Sequence, residues 1–211
     1  MAFMAINILF NLIAPFYDRV IKPPELEEIR QLLNLPMDGW MLEAGGGTGR
    51  VSSALRPWVD KFVVCDLSRP MLQEAQTKES LLLVQTRSER LPFPDESFER
   101  ILVVDALHHF SDQAGAIRDL LRILKPGGRL LVEEPDISHW QVKMIALFEK
   151  LALMNSHIHE ATEISQMIQA CGLPAQIKRN NGFSVWVMGD KQEHGSEPIS
   201  PAPDSEEGNL I

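Results

Sequence analysis

Leu42-Glu43-Ala44-Gly45-Gly46-Gly47-Thr48-Gly49-Arg50 carries an apolar run into an acid and then into glycine at every second position. Such residues bind rather than react. Glycine reaches positive φ and has no Cβ, so a turn built on Gly45, Gly47 and Gly49 lets a ligand lie against the main chain and lets the next helix pack close to the strand. Asp66 closes the next apolar run, where a carboxylate can accept both hydroxyls of a ribose lying over the turn. Met71 offers a soft apolar surface that suits an adenine ring or the core equally. Together these residues predict a nucleoside-bearing ligand. The dinucleotide pattern Gly-x-Gly-x-x-Gly is not met, because Arg50 stands at the third glycine, and no Gly-Lys-Ser/Thr follows. A ligand without a pyrophosphate fits better.

These residues need strands that end where they begin. Trp40-Met41-Leu42 is predicted as a short buried strand feeding the glycine turn and a helix over Val51 to Leu55. Phe62 to Cys65 follows as a strand, with Ser68 capping a helix through Met71 to Ala75 whose early Pro70 is tolerated. Leu81 to Val84, Ile101 to Val104 and Leu130 to Val132 are near-continuous apolar strands of the kind buried on both faces. Ile117, Leu120, Leu121 and Leu124 mark a helix expected to stop at a Lys125-Pro126-Gly127-Gly128 turn. Upstream, Pro23-Pro24 and the acids after them open a helix that ends near Asn34. Helices over Gln141 to Met154 and Ala161 to Ala170, then strands over Ala175 to Arg179 and Ser184 to Met188, complete the pattern. Strand and helix alternating in this way predict an α/β, Rossmann-like, doubly wound and mostly parallel seven-stranded sheet, with helices on both faces. Residues 1–34 are read as N-terminal lid and substrate helices, 35–189 as the ligand-binding domain, and 190–211 as an acidic tail too poor in apolar residues to pack.

Composition excludes several classes. Of the nine net negative charges, five belong to the segment from Asp190 onward, and the four left on the body argue against nucleic acid as the partner. Cys65 and Cys171 are too few and too far apart for a disulfide framework or a metal site, and suit a reduced, cytoplasmic setting. Cys65 reads as a small core residue. Residues 1–16 are uncharged, but they lack a basic leader and are shorter than the ~20 residues of a membrane span. They read as a helix packed on the domain, with a lid over an apolar substrate or a peripheral membrane contact as alternatives.

Five motifs in order, Glu43 to Gly49, Asp66-Leu67-Ser68, Arg90-Leu91-Pro92-Phe93-Pro94-Asp95-Glu96-Ser97-Phe98, Ala106-Leu107-His108-His109-Phe110 and Leu121 to Gly128, resemble the class I S-adenosylmethionine-dependent methyltransferases of the small, type 11 kind over residues 40–135. The resemblance implies S-adenosylmethionine as cofactor, with S-adenosylhomocysteine as product. It implies that Glu43 organises the turn and the cofactor's amino end, that Gly45, Gly46, Gly47 and Gly49 line its methionine and ribose parts, and that Asp66 holds the ribose. Leu67 and Met71 would flank adenine, Ser88 and Glu89 would meet its edge, and Asp105, Ala106 and Leu107 would sit beside the methionine portion. Asn11 to Asp18 resembles the N-terminal segment of the ubiquinone and menaquinone C-methyltransferases, which makes Tyr17 a lid residue over the cofactor. One departure stands out: Thr86-Arg87-Ser88-Glu89 places Arg87 where many relatives have an acid that accepts from the adenine amino group, and arginine cannot accept.

Methyl transfer from a sulfonium needs alignment and exclusion of water more than a fixed catalytic set. A base is required only when the acceptor must lose a proton, and His108 and His109 are the candidates, with packing and loop hydrogen bonding as the competing account. His139, His157 and His159 with Glu160 and Glu163 match no metal spacing, so no metal is expected. An apolar lid and Met144, Leu147, Phe148, Leu151 and Met154 on one helix point to a small hydrophobic acceptor such as a quinone precursor, a lipid or an aromatic metabolite, although core packing explains the same pattern. A catalytically silent member of the fold that binds a partner is the main alternative, and a nucleotide-dependent oxidoreductase the remoter one.

Overall fold

A computed structural model describes Ala14, Asp18 and residues 25–136, 159–179 and 184–193. Strands β1 (Met37–Ala44), β2 (Val59–Asp66), β3 (Leu81–Gln85), β4 (Phe98–Val104), β5 (Leu124–Pro135), β6 (Ala175–Arg179) and β7 (Ser184–Asp190) form a 7-stranded sheet ordered β3-β2-β1-β4-β5-β7-β6. β1 to β5 pair in parallel, and β7 runs antiparallel to both β5 and β6. Among the described residues, five α-helices accompany them: α1 (Leu26–Leu32), α2 (Arg50–Leu55), α3 (Arg69–Ala75), α4 (Gln113–Ile123) and α5 (Ala161–Ala170).

Alternation along each strand divides the core. Met41 packs in a cluster with Ile29 of α1, Val51 of α2 and Leu72 of α3, whereas its neighbour Leu42 joins Ile117 and Leu120 of α4 and Ile168 of α5. Both faces of the sheet are therefore covered, which is why the strands read as unbroken apolar runs. Ser68 caps α3 as expected, accepting from Met71 N at 3.3 Å, and Asp112 caps α4 by accepting from Gly115 N at 2.8 Å.

Two elements differ from the sequence reading. Lys125 to Gly128 is not a separating turn, because β5 begins at Leu124, directly after α4, and Leu124 already pairs with Phe98. A register shift between the paired residues Leu124 and Arg129 absorbs the stretch, and Gly127 N is taken up by Lys191 O at 2.7 Å. α1, read as part of a lid, instead buries Ile29, Leu32 and Leu33 in the sheet core. Its last carbonyls accept from strand arginines, Leu32 O from Arg129 and Leu33 O from Arg100 at 2.7 Å. The expected helix over 141–154, the apolar segment over 1–13 and the tail beyond residue 193 lie outside the described residues.

The chain leaves β1 toward β2 and β3 on one side and returns with β4 and β5 on the other. Strand order reverses between β1 and β4, and sheets of this kind open a crevice at the carboxyl ends of their strands at that point.

Candidate functional site

The turn after β1 is held by the end of β2. Gly45 N and Gly46 N both donate to Cys65 O, at 2.8 and 3.0 Å, Gly47 N donates to Asp66 Oδ2 at 2.9 Å, and Gly49 N closes on Gly46 O at 2.8 Å. Gly45, at φ +72, has no room for a side chain, since a Cβ there would lie 2.6 Å from the Ala106 Cβ. Gly49, at φ +70, lets α2 approach α3 and β3, where a Cβ would stand 3.0 Å from Leu81 Cδ1. Gly47 faces the opposite way. The atoms nearest its missing Cβ are Asp66 Oδ2 and Met71 Sδ, each 4.0 Å off, so a hollow remains between the turn, the acid and the thioether.

That hollow is part of a solvent-open cleft of ≈ 940 Å³. Glu43 and Gly45 to Thr48 line it from the β1 turn, Asp66, Leu67, Ser68 and Met71 from the end of β2, Thr86 to Glu89 from the loop after β3, and Val104, Asp105, Ala106, His109 and Phe110 from the end of β4. Arg50 and Val51 complete it from the start of α2. Most residues expected at the site are thus brought together. Leu107 and Gly49 are exceptions: Leu107 is fully buried in the core, and Gly49 packs behind the turn rather than along the cleft. Tyr17 lies outside the described residues.

The acids of the cleft sit in a low dielectric. Asp66 accepts from the backbone of Gly47, at 2.9 Å, of Ser68, at 2.7 Å, and of Leu67, and it lines the hollow with acceptor capacity to spare. Burial holds its carboxyl above the usual carboxylate range, against the pull of those amides. Glu43 is almost fully buried and its Oε2 takes both Ser52 N, at 3.1 Å, and the Ser52 hydroxyl, which staples the first turn of α2 to β1. Burial pushes Glu43 up to about 7, with the Ser52 hydroxyl and the charge of Arg50 opposing. Glu89 Oε1 accepts from Ser111 N at 2.9 Å, tying the loop after β3 to the chain beyond β4. Burial also pushes the Cys65 thiol up to about 12, which leaves it a core residue.

The two histidines separate. His108 does not line the cleft: it is buried, with Nδ1 2.5 Å from Glu134 Oε2, while Glu134 Oε1 accepts from Leu107 N at 2.8 Å and Ala106 N at 3.2 Å. It holds the short turn Leu107–His109 in place, so the reading of His108 as a base is corrected by its geometry. His109 does line the cleft, but burial, aided by the charge of neighbouring His108, pushes its ring down to about 2, leaving it a poor proton acceptor near neutrality. His159 and Glu163 cap α5, with Glu163 Oε2 accepting from Glu160 N at 3.0 Å and meeting His159 Nδ1 at 2.8 Å. His139 and His157 lie outside the described residues.

Two groupings escape the sequence. Asp18 Oδ1 accepts from the Thr48 hydroxyl at 2.5 Å, and Lys78 Nζ bridges Asp18 Oδ2, at 2.9 Å, to Thr48 O, at 2.6 Å. No local spacing links three positions so far apart. Glu134 is the other, since an acid inside an apolar strand signals burial but not its partner.

Comparison with known proteins finds methyltransferases. Residues 42–132, less than half of the chain, match the family described as methyltransferase domain. Over 133 residues the chain is 32% identical to the uncharacterized methyltransferase YcgJ of Bacillus subtilis, covering 58% of this chain and 51% of that protein. Over 139 residues it is 32% identical to the ubiquinone/menaquinone biosynthesis C-methyltransferase UbiE of Hahella chejuensis, covering 58% and 55%. The chain thus spans about half the length of these relatives. In three dimensions it superposes on a SAM-dependent methyltransferase from Thermotoga maritima with a TM-score of 0.72 at 21% identity, over 91% of this chain and 100% of that one. The Rossmann-like methyltransferase architecture is therefore shared well beyond the matched segment. Among the described residues, no helix is long and apolar enough to cross a membrane.

Proposed function

We propose that the chain transfers a methyl group from S-adenosylmethionine to a small, hydrophobic acceptor and releases S-adenosylhomocysteine. One observation carries this reading: Gly47, Asp66 and Met71 surround a space that a Cβ would enter without collision, with an acid that still has lone pairs on one wall and a thioether on another. An adenosyl group fits that chemistry, the ribose hydroxyls donating to Asp66 and adenine lying against Leu67 and Met71 with Ser88 and Glu89 at its edge. Glu43, Gly45, Gly46, Asp105 and Ala106 would hold the methionine portion, and Tyr17 would close over it. The cofactor supplies an electrophilic methyl on a sulfonium whose leaving group is a neutral thioether. What the chain adds is alignment and a dry wall, to which Val104, Ala106 and Phe110 contribute. Cysteines that are both free support a reducing, cytoplasmic setting, and the acidic body supports a small-molecule acceptor over nucleic acid.

Arg87 in the cleft wall favours a second reading, a domain that keeps the fold for binding and does not turn over. Calorimetry with S-adenosylhomocysteine, paired with tritiated S-adenosylmethionine and hydrophobic acceptors, separates the two. Uptake with transfer supports the enzyme, uptake without transfer supports the silent domain, and no uptake at millimolar ligand overturns the enzyme reading.

A further inference from the structure

We propose that Glu133 is the proton acceptor of the reaction, and that the methyl acceptor is therefore an uncharged or cationic molecule presenting an O–H or N–H rather than a carboxylate or a phosphate. The inference rests on the methyl-donor reading above and names the chemistry of the other half of that site.

The placement follows from the strand. Glu133 stands near the carboxyl end of β5, level with Val104 of β4, and its carbonyl accepts from Asp105 N at 2.9 Å, so it adjoins the part of the cleft wall formed by Val104 and Asp105. Alternation puts its side chain on the sheet face that Leu131 shares with Val51 and Val104, opposite to Glu134 and the His108 turn. Only 5% of Glu133 is exposed, and its Oε2 has no hydrogen-bond partner among the described residues, its one bonded neighbour being Ser184. Directly across the β5–β7 pair, on the same face, the fully buried Trp186 has an Nε1 that also lacks a partner. A buried acceptor and a buried donor, both unused and on paired residues, are what a hydroxyl or an amine satisfies by donating to one and accepting from the other.

The groups facing Glu133 are Arg50 from α2, Asp105 beyond β4, Ser184 from β7 and Glu134 on its own strand. Burial outweighs the help of Ser184 and Arg50 and pushes the carboxyl up to about 7, so both of its forms are populated near neutrality. His108 is held by Glu134, His109 is a poor base, and Glu43, the other acid raised to about 7, spends its Oε2 on Ser52, which leaves Glu133 as the group poised for the task. An anionic acceptor would meet Glu43, Asp66 and Asp105 in the cleft wall, with Glu133 adjoining them, and be repelled. In the transfer, the acceptor's O or N lone pair forms the new bond to the methyl carbon as the S–CH3 bond breaks and its electron pair stays on sulfur. The acceptor's proton passes to the Glu133 carboxylate. A sulfonium cation and a carboxylate anion thus become a neutral thioether and a neutral acid, and the charges balance.

The test counts protons without needing the acceptor. Calorimetric titration in buffers of different ionisation enthalpy measures the protons exchanged when S-adenosylmethionine or S-adenosylhomocysteine binds at neutral pH. A carboxyl facing the transferable methyl ionises for the cationic ligand and not for the neutral one. We expect the first ligand to release more protons than the second, and the excess to vanish in Glu133→Gln while affinity for S-adenosylhomocysteine stays within about twofold. Equal release in the wild type overturns the proposal, as does an excess that survives Glu133→Gln, which would belong to Glu43. Should Glu133→Gln fail to fold, carboxyl 13C spectra of glutamate-labelled wild type decide: one glutamate whose midpoint falls with S-adenosylmethionine alone supports it, and none overturns it. Wild type that binds neither ligand removes the methyl-donor reading itself, and this inference with it. In transfer assays, benzoates methylated as fast as phenols and anilines overturn the acceptor class.

Discussion

The turns that leave β1 and β4 lie side by side at one edge of the sheet and use their acids in opposite ways. Beside the first, Asp66 serves the backbone of Gly47, Ser68 and Leu67 and still stands beside an open hollow. Beside the second, Glu134 is consumed by Ala106 N, Leu107 N and His108 Nδ1, and the space around it is filled. Residue type does not separate these regions, since each offers a buried carboxylate at a strand end. What separates them is access, because Asp66 lines the open cleft whereas Glu134 is buried and lines none of it, and a group that a ligand cannot reach cannot recognise one.

Filling the open side breaks the contrast most severely. Gly45→Val places a branched side chain at φ +72 against Ala106, and we expect a loss of about 3 kcal/mol or more in urea unfolding, together with loss of cofactor uptake. Next in size is a crossed pair of substitutions. His108→Gln weakens the partnership of a buried carboxylate and should cost about 2 kcal/mol of unfolding free energy, with S-adenosylhomocysteine affinity of the folded protein within about threefold. Asp66→Asn should do the reverse, weakening that affinity by about tenfold to a hundredfold while unfolding free energy moves by less than about 1 kcal/mol. If His108→Gln instead abolished binding and Asp66→Asn left it intact, the division between a ligand side and a structural side would be lost. The smallest effect belongs to the Asp18 clasp, whose partly exposed ion pair with Lys78 is worth about 0–1 kcal/mol. Asp18→Ala should leave the melting temperature of the ligand-free protein nearly unchanged and reduce the rise produced by S-adenosylhomocysteine, a difference that thermal melts with and without ligand resolve.

Much of this was legible in the chain. Apolar runs longer than alternation allows announced strands covered on both faces, and Ser68 three residues before Met71 announced the cap of α3. The Glu43 to Gly49 turn and Asp66 were readable as parts of one site because both lie at ends of parallel strands, and such ends share one edge of the sheet. Less was readable where a pattern serves two purposes. Gly49 belongs to the same glycine series as Gly47, yet one is demanded by the packing of α2 and the other leaves room for a ligand. Lys125 to Gly128 carries turn chemistry, but pairing of the flanking Leu124 with Phe98 and Arg129 with Arg100, and the bond of Gly127 to Lys191, keep it inside β5. His108 and His109 are adjacent and identical in type, and only their surroundings assign one to Glu134 and the other to the cleft.

The order of strands, the glycine turn and the acid that follows it were determined by the sequence alone, because periodicity and φ preference act within a few residues of where they are written. Which acids a ligand can reach, that Asp18 reaches Thr48, and that Glu133 Oε2 and Trp186 Nε1, on residues paired across β5 and β7, find no hydrogen-bond partner among the described residues were decided only by the tertiary structure. Hydrogen bonds and burial depend on neighbours brought together from distant parts of the chain, and no local spacing encodes them.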